Sequence, residues 1–166
     1  MVTRTPEETY EFFTHNWCDI SQHLPFLREN SRGNVVEIGT RDGASTSALL
    51  LGVKENVGGH LWSVDINPEC SRIFPPDPQW TFIHGHSRDN ADRILAQIPG
   101  YVDLLFIDGD HSYEMVKSDL AIYGPLAKTI MLHDVELEGA GVYQAATEYG
   151  KLEIKSGCYG LGVIRQ

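Results

Sequence analysis

The feature that most restricts how this chain can fold is Val35-Val36-Glu37-Ile38-Gly39-Thr40-Arg41-Asp42-Gly43-Ala44-Ser45-Thr46, a β-branched run that meets an acid and two glycines and then turns into helical spacing. Val35, Val36 and Ile38 suit a strand covered on both faces. Gly39 and Gly43 permit a turn that a Cβ would resist. From Ala44 the apolar positions Ala44, Ala48, Leu51 and Leu49, Val53 keep helical spacing, with Asp42, Ser45 and Thr46 available to cap the first turn. A strand, glycine turn and helix in this order hold nucleotide-like ligands, and the glycine positions decide which. A dinucleotide site needs Gly-x-Gly-x-x-Gly, but Arg41 stands at the middle position and Ala44 at the last. An NAD-dependent oxidoreductase is therefore a disfavoured rival, and without a Gly-Lys-Ser/Thr ending there is no phosphate loop.

Ahead of this unit, Thr5-Pro6-Glu7-Glu8 predicts a helix start with a capping box, Tyr10, Phe13 and Trp17 sharing a face. A second short helix carries Leu24 and Leu27 and breaks at Ser31-Arg32-Gly33-Asn34. These segments can lie over a ligand crevice, with His15, Trp17 and His23 near its entrance, although His23 also reads as a surface or capping side chain. Beyond the unit, His60 to Asp65 predicts a second strand that closes on an acid 26 residues past Gly39. A carboxylate there can accept both ribose hydroxyls of an adenosine. Trp80 to Ile83 predicts a third strand, then Gly85-His86-Ser87 and a helix with Ala91, Ile94, Leu95 and Ile98 at i, i+3, i+4, i+7, for which Ser87 is the expected cap.

The fourth and fifth strands carry the chemistry. Val102 to Ile107 runs into Asp108-Gly109-Asp110-His111-Ser112, and Thr129 to Leu132 runs into His133-Asp134. Two carboxylates and an imidazole within four residues repel and desolvate one another unless a cation or a substrate proton is shared among them. In an open parallel sheet, ligands gather at the carboxyl ends of the strands, so Asp108, Asp110, His111, His133 and Asp134 are expected to converge on the edge that holds Gly39 and Asp65. Helices over Tyr113 to Tyr123 and Val142 to Tyr149, then a hairpin of Leu152 to Ile154 and Leu161 to Ile164, complete the chain.

Composition bounds the function. At 166 residues and 42% hydrophobic content, a single domain spanning 1–166 is expected, with a helical lead-in over 1–32 and a cofactor-binding core over 33–166. A formal net charge of −10 without a basic run argues against nucleic acid as partner. The three cysteines form no Cys-x-x-Cys pair, and neither a basic apolar leader nor a long uncharged stretch occurs, so a reduced, cytoplasmic protein with no membrane partner is expected. Oligomeric state stays open.

Glu37-Ile38-Gly39 with Gly43, then Phe106-Ile107-Asp108-Gly109-Asp110-His111-Ser112-Tyr113-Glu114, then Leu132-His133-Asp134, resemble class I S-adenosylmethionine-dependent methyltransferases, in particular the sugar and macrolide O-methyltransferases. The resemblance implies an α/β, Rossmann-like, doubly wound, mostly parallel seven-stranded sheet with a C-terminal antiparallel hairpin and helices on both faces. It implies S-adenosylmethionine held by Glu37, Gly39, Thr40, Arg41, Gly43, Asp65, Ile66, His86, Ser87 and Asp108, and in-line methyl transfer to the oxygen of a small polar or sugar-like acceptor. Asp110, His111 and His133 are the candidate general bases. Asp108, His133 and Asp134 are the candidate ligands of a divalent metal, Mg²⁺ or Mn²⁺. A second acid is usual in the family at the position of His133, and imidazole suits Mn²⁺, Fe²⁺ or Zn²⁺ better than Mg²⁺. A second rival is a non-catalytic S-adenosylmethionine-binding module.

Overall fold

The computed structural model describes residues 4–56 and 58–166. Residues 1–3 of the expected lead-in lie outside the described residues. Helix α1 (Pro6–His15) starts as its sequence predicts: the Thr5 hydroxyl accepts from the Glu8 N–H at 3.2 Å, and Glu8 Oε2 accepts from the Thr5 N–H at 2.8 Å. A single 3₁₀ turn (Ser21–His23) leads into α2 (Leu24–Asn30). Then follow β1 (Asn34–Ile38), α3 (Ala44–Lys54), β2 (His60–Asp65), β3 (Trp80–His84), α4 (Ala91–Leu95), β4 (Val102–Ile107), α5 (Tyr113–Tyr123), β5 (Ala127–His133), α6 (Val142–Tyr149), β6 (Glu153–Lys155) and β7 (Leu161–Arg165).

All seven strands join one sheet in the order β3-β2-β1-β4-β5-β7-β6. β1 to β5 pair in parallel, and β7 enters antiparallel between β5 and β6. The period of two along each strand divides the core. Val35, Leu61, Leu104, Phe106 and Met131 pack beneath α2 and α3, while Val36, Ile38, Leu105, Ile107, Ile130 and Leu132 pack beneath α4, α5 and α6. Each such side chain, fully buried, contributes about 1.5 to 3 kcal/mol. Since the sheet is covered on both faces, a polar ligand meets it only at its edge, and the order reverses between β1 and β4, where a crevice opens at the strand ends.

Two expectations need correction. Ser87 does not cap α4: the His86 N–H donates to Asn90 Oδ1 and the Asn90 N–H to the His86 carbonyl, closing residues 86–90 as a turn, so the helix begins only at Ala91. It ends at Leu95, not past Ile98, because the Gln97 N–H bonds the Ile94 carbonyl and tightens the last turn. Ile98 is nonetheless buried, so its spacing reported burial, not helix. No helix among the described residues is long and apolar enough to cross a membrane.

Candidate functional site

Gly39 ends β1 with φ +95°, and a Cβ there would lie 2.2 Å from the Asp108 carbonyl oxygen. The glycine thus lets the ends of β1 and β4 touch. Gly43 (φ +83°) is the N-cap of α3, and no side chain caps that helix: Asp42 is exposed, while Ser45 and Thr46 serve another group. Their hydroxyls donate to Glu37 Oε1 at 2.7 Å and Oε2 at 2.9 Å, and the Ser63 hydroxyl on β2 donates to Oε2 at 2.6 Å. Glu37 is wholly buried, and burial raises its carboxyl to about 7 against the pull of those three donors. Glu37 therefore does not hold the cofactor by direct contact, as the sequence led one to expect. It ties β1 to β2 and to the first turn of α3.

Asp65 is more constrained than a free ribose ligand. Its Oδ2 accepts from the Thr40 and Arg41 N–H groups at 2.8 and 3.1 Å, and its Oδ1 from the Asn67 N–H at 2.7 Å. Three of about four lone-pair directions are filled, so it fixes the glycine loop and has room for one further donor, not two.

Two cavities meet across Gly39, Arg41, Asp108 and Gly109. The larger, about 380 Å³, is walled by Asp65, Ile66, His86, Ser87, Asp110 and Asp119 as well. Ile66 is 67% exposed, an apolar surface fit to cover a flat ring. The smaller, about 140 Å³, is walled by Phe13, Cys18, Asp19 and Ile20 of the lead-in, by Thr40, Asp42, Ala44 and Ser45, and by His111 and Asp134. The lead-in does cover the crevice, though through other residues than expected. Trp17 is 77% exposed, His15 Nδ1 engages the Glu11 carbonyl of its own helix, and His23 is buried with Nε2 donating to the Gly157 carbonyl at 2.6 Å.

At the floor of the smaller cavity stands a His/Asp cluster. His133 Nδ1 lies 3.3 Å from Asp108 Oδ1 and 3.1 Å from Asp134 Oδ2, while His111 Nε2 lies 2.9 Å from Asp134 Oδ2 and 3.8 Å from Asp108 Oδ1. His133 Nε2 faces the carbonyls of Asp19 (3.0 Å) and Cys158 (2.8 Å) and so carries a proton. With only carboxylates before Nδ1, the ring takes a second proton. Burial opposes that charge, but the two carboxylates outweigh it and raise His133 to about 10. The same carboxylates raise His111 to about 10. Burial alone would push Asp134 up, yet the two histidines hold it well below the usual carboxylate range. Asp134 sits at φ +64°, a left-handed conformation that turns its carboxylate back into the cluster.

His133 is 2% exposed with both nitrogens engaged, which removes it as a general base toward an acceptor. As a metal ligand it fits. Asp108, His133 and Asp134 offer donor atoms all within 4.8 Å of one another, their Nδ1 to oxygen distances match edges of a coordination shell with bonds of about 2.0 to 2.2 Å, and the anchored Nε2–H presents Nδ1 to the shared space. Asp110 stands apart, exposed on the larger cavity, with its Oδ1 accepting from the Ser112 N–H at 2.7 Å; the Ser112 side chain and this N–H hold its carboxyl below the usual carboxylate range. The segment that supplies the Cys158 carbonyl is unusual: Gly157, Cys158, Tyr159 and Gly160 all have positive φ, at +106°, +44°, +64° and +78°.

Asp119 was not anticipated from the sequence. It lies on α5 at the wall of the larger cavity, 1% exposed, and its Oδ1 has no hydrogen-bond partner among the described residues. Thr40 Oγ1, on the smaller cavity, is likewise unpartnered. The flanking Val116, Leu120 and Tyr123 mark a buried helix face that includes position 119, a signal present in the spacing.

A family model described as a methyltransferase domain matches residues 36–135. An uncharacterized protein of Acanthamoeba polyphaga mimivirus is 30% identical over 123 residues, 66% of this chain and 53% of that protein, so the chain spans about half the length of this curated relative. The O-methyltransferase from Bacillus cereus in complex with SAH has a TM-score of 0.71 at 15% identity, covering 97% of this chain and 90% of its own. The MycE methyltransferase of the mycinamycin biosynthetic pathway, in complex with Mg, SAH and mycinamycin VI, has a TM-score of 0.65 at 15% identity, covering 98% of this chain and 55% of its own. At such identity these structures show a shared fold. The family match, however, runs from β1 through the glycine turn to both carboxylate-bearing strand ends, and on it the chain belongs to the methyltransferase domain family.

Proposed function

We propose that this chain is an S-adenosylmethionine-dependent O-methyltransferase acting on a small polar or sugar-like acceptor. The observation that carries this reading is the meeting of two cavities at Gly39 and Asp108, one large enough for a nucleoside and one floored by the His/Asp cluster. The cofactor fits the larger, with Ile66 against the adenine, Asp65 accepting one ribose hydroxyl, and His86 and Ser87 at the ring edge. Its sulfonium methyl then points into the smaller cavity, where Thr40 Oγ1 is a free polar group near the methionine end. The Mg-containing relative supports a divalent cation at Asp108, His133 and Asp134. When bound, such a cation lowers the pKa of an acceptor hydroxyl and orients it.

The chain's own residues do the rest. The lead-in residues Phe13, Cys18 and Ile20 exclude water and set acceptor size. His111, on the wall of the smaller cavity, would take the acceptor proton as the oxygen attacks the methyl in line once a cation held by Asp108 and Asp134 offsets the carboxylates that otherwise keep its ring protonated. Asp19, Asp42, Asp108 and Asp134 line this cavity against Arg41 and His111, which favours a neutral or cationic acceptor.

Calorimetric titration with S-adenosylmethionine, followed by product detection across an acceptor panel with divalent cations added or chelated, tests the reading. Micromolar binding and methyl transfer are expected. Absence of binding to the purified protein under every condition sinks it. Tight binding without transfer to any acceptor class would instead favour a cofactor-binding module.

A further inference from the structure

The larger cavity contains a polar group that the reading above does not use. Asp119 comes from the middle of α5, and the helix turns it inward with Val116, Leu120 and Tyr123. Its neighbour in the cavity lining is the 85–87 loop, pinned by Tyr123, whose hydroxyl donates to the Ser87 carbonyl at 2.6 Å. Gly85, His86, Ser87, Met115 and Asp119 line the cavity beside Ile66 and Asp65, whose carbonyl accepts from the Gly85 N–H at 2.9 Å. A carboxylate oxygen buried without a donor is costly, and is retained where a ligand completes it. A carboxylate accepts and does not donate when ionised, so the missing partner is an N–H or O–H group. Burial raises Asp119 to about 6, against the pull of the Ser87 side chain, which leaves it ionised and an acceptor at neutral pH.

Resting on the assignment of this cavity to S-adenosylmethionine, we propose that Asp119 accepts the exocyclic 6-amino group of the adenine and so selects a 6-amino over a 6-oxo purine. With Ile66 against the ring face and Asp65 on the ribose, the edge of the base falls to the adjacent 85–87 loop and to Asp119 beside it. There the Ser87 carbonyl already accepts from Tyr123, whereas Asp119 Oδ1 has no donor. A 6-oxo purine would set a second acceptor against it, with the repulsion and lost pairing that make such sites discriminate.

The probes are S-adenosylhomocysteine and its deaminated analogue S-inosylhomocysteine, titrated calorimetrically into the wild-type protein, Asp119→Asn and Asp119→Ser, with melting temperatures measured in parallel. The wild-type protein is expected to prefer the adenosyl probe by about 10- to 100-fold. Asp119→Asn, which can donate, should bring the two probes within about threefold or invert the order, and Asp119→Ser should flatten the preference. If one variant does not fold, the other carries the comparison. A further wild-type measurement uses the N6,N6-dimethyl analogue, which lacks the donor and should bind about as poorly as the inosyl probe. Equal wild-type affinity for the adenosyl and inosyl probes, or an unchanged preference in a folded Asp119 variant, overturns the proposal while leaving the cofactor reading intact. Binding of neither probe to the wild-type protein removes the cofactor reading, and the role of Asp119 with it.

Discussion

Replacing Glu37 with glutamine should stabilise the protein, and only above a definite pH. The carboxyl is raised from 4.5 to about 7 by complete burial. A folded-state pKa above the unfolded one means that the native state holds a proton the unfolded chain has released, so stability falls as pH rises from about 4.5 to 7 and is constant beyond. A rise of that size corresponds to about 3 kcal/mol. The geometry accepts an amide. With the amide oxygen in place of Oε2 it still accepts from Thr46 and Ser63, and with nitrogen in place of Oε1 it donates to the Ser45 oxygen, as the protonated acid does. Urea unfolding of both proteins at pH 5, 6, 7 and 8, followed by tryptophan fluorescence, isolates this group from every other titration by difference. The stability difference should be within about 1 kcal/mol at pH 5 and grow to about 2 to 3 kcal/mol in favour of Glu37→Gln at pH 8. A difference that is flat across this range, or that moves against the variant as pH rises, refutes the argument that burial outweighs the three hydroxyl donors. Cofactor affinity should change by less than about threefold, since the side chain lies beneath the loop and touches neither cavity.

His111→Ala should lower kcat by about 10² to 10³ with little change in cofactor affinity, measured by steady-state kinetics and calorimetry; an undiminished kcat would assign the proton to another group. His133→Ala should weaken divalent-cation binding by at least about tenfold, and the wild-type site should bind Mn²⁺ or Co²⁺ more tightly than Mg²⁺, as competition titrations would report. Because His133 carries protons on both nitrogens without a cation, metal binding at pH 8 should release about one proton or more, read from calorimetry in buffers of different ionisation enthalpy. Gly39→Ala should cost about 2 to 4 kcal/mol in an unfolding titration, since φ is +95° and the added carbon meets the Asp108 carbonyl; a cost below 1 kcal/mol would show that the β1 and β4 ends can separate.

What the sequence reveals here is local chemistry with a short range. The capping box at Thr5 and Glu8, the strand that ends at Asp65 and the run from Val102 to Ile107 can each be read from adjacent residues, and each appears where expected. Repeated ionisable residues after β4 and β5 likewise foretold the cluster of Asp108, His111, His133 and Asp134, because parallel neighbours end at the same edge. The burial of Glu37 is not legible in the sequence because its partners lie on α3 and β2, and spacing along one strand does not say that three hydroxyls will close over a carboxylate. His133 looked like a base for the same reason: only the fold brings the Asp19 and Cys158 carbonyls to its far nitrogen. Asp119 had a legible signal in its apolar neighbours, but its unpartnered oxygen is a property of the assembled cavity.

The left-handed run from Gly157 to Gly160 connects chain conformation with ion affinity. Cys158 and Tyr159 each cost on the order of 1 to 3 kcal/mol in that geometry, and their turn is clasped by His23 on the Gly157 carbonyl and His133 on the Cys158 carbonyl. A cation that displaced the Nδ1 proton would change the charge on the ring and with it the strength of the Nε2–H bond to the Cys158 carbonyl, so occupancy of the cluster would be coupled to the hairpin beyond it. Thermodynamic reciprocity then requires that a change relaxing the hairpin would shift the affinity for such a cation by the same free energy, although the hairpin supplies none of the three candidate ligands. Strain in this loop would thus tune the site from residues that line neither cavity.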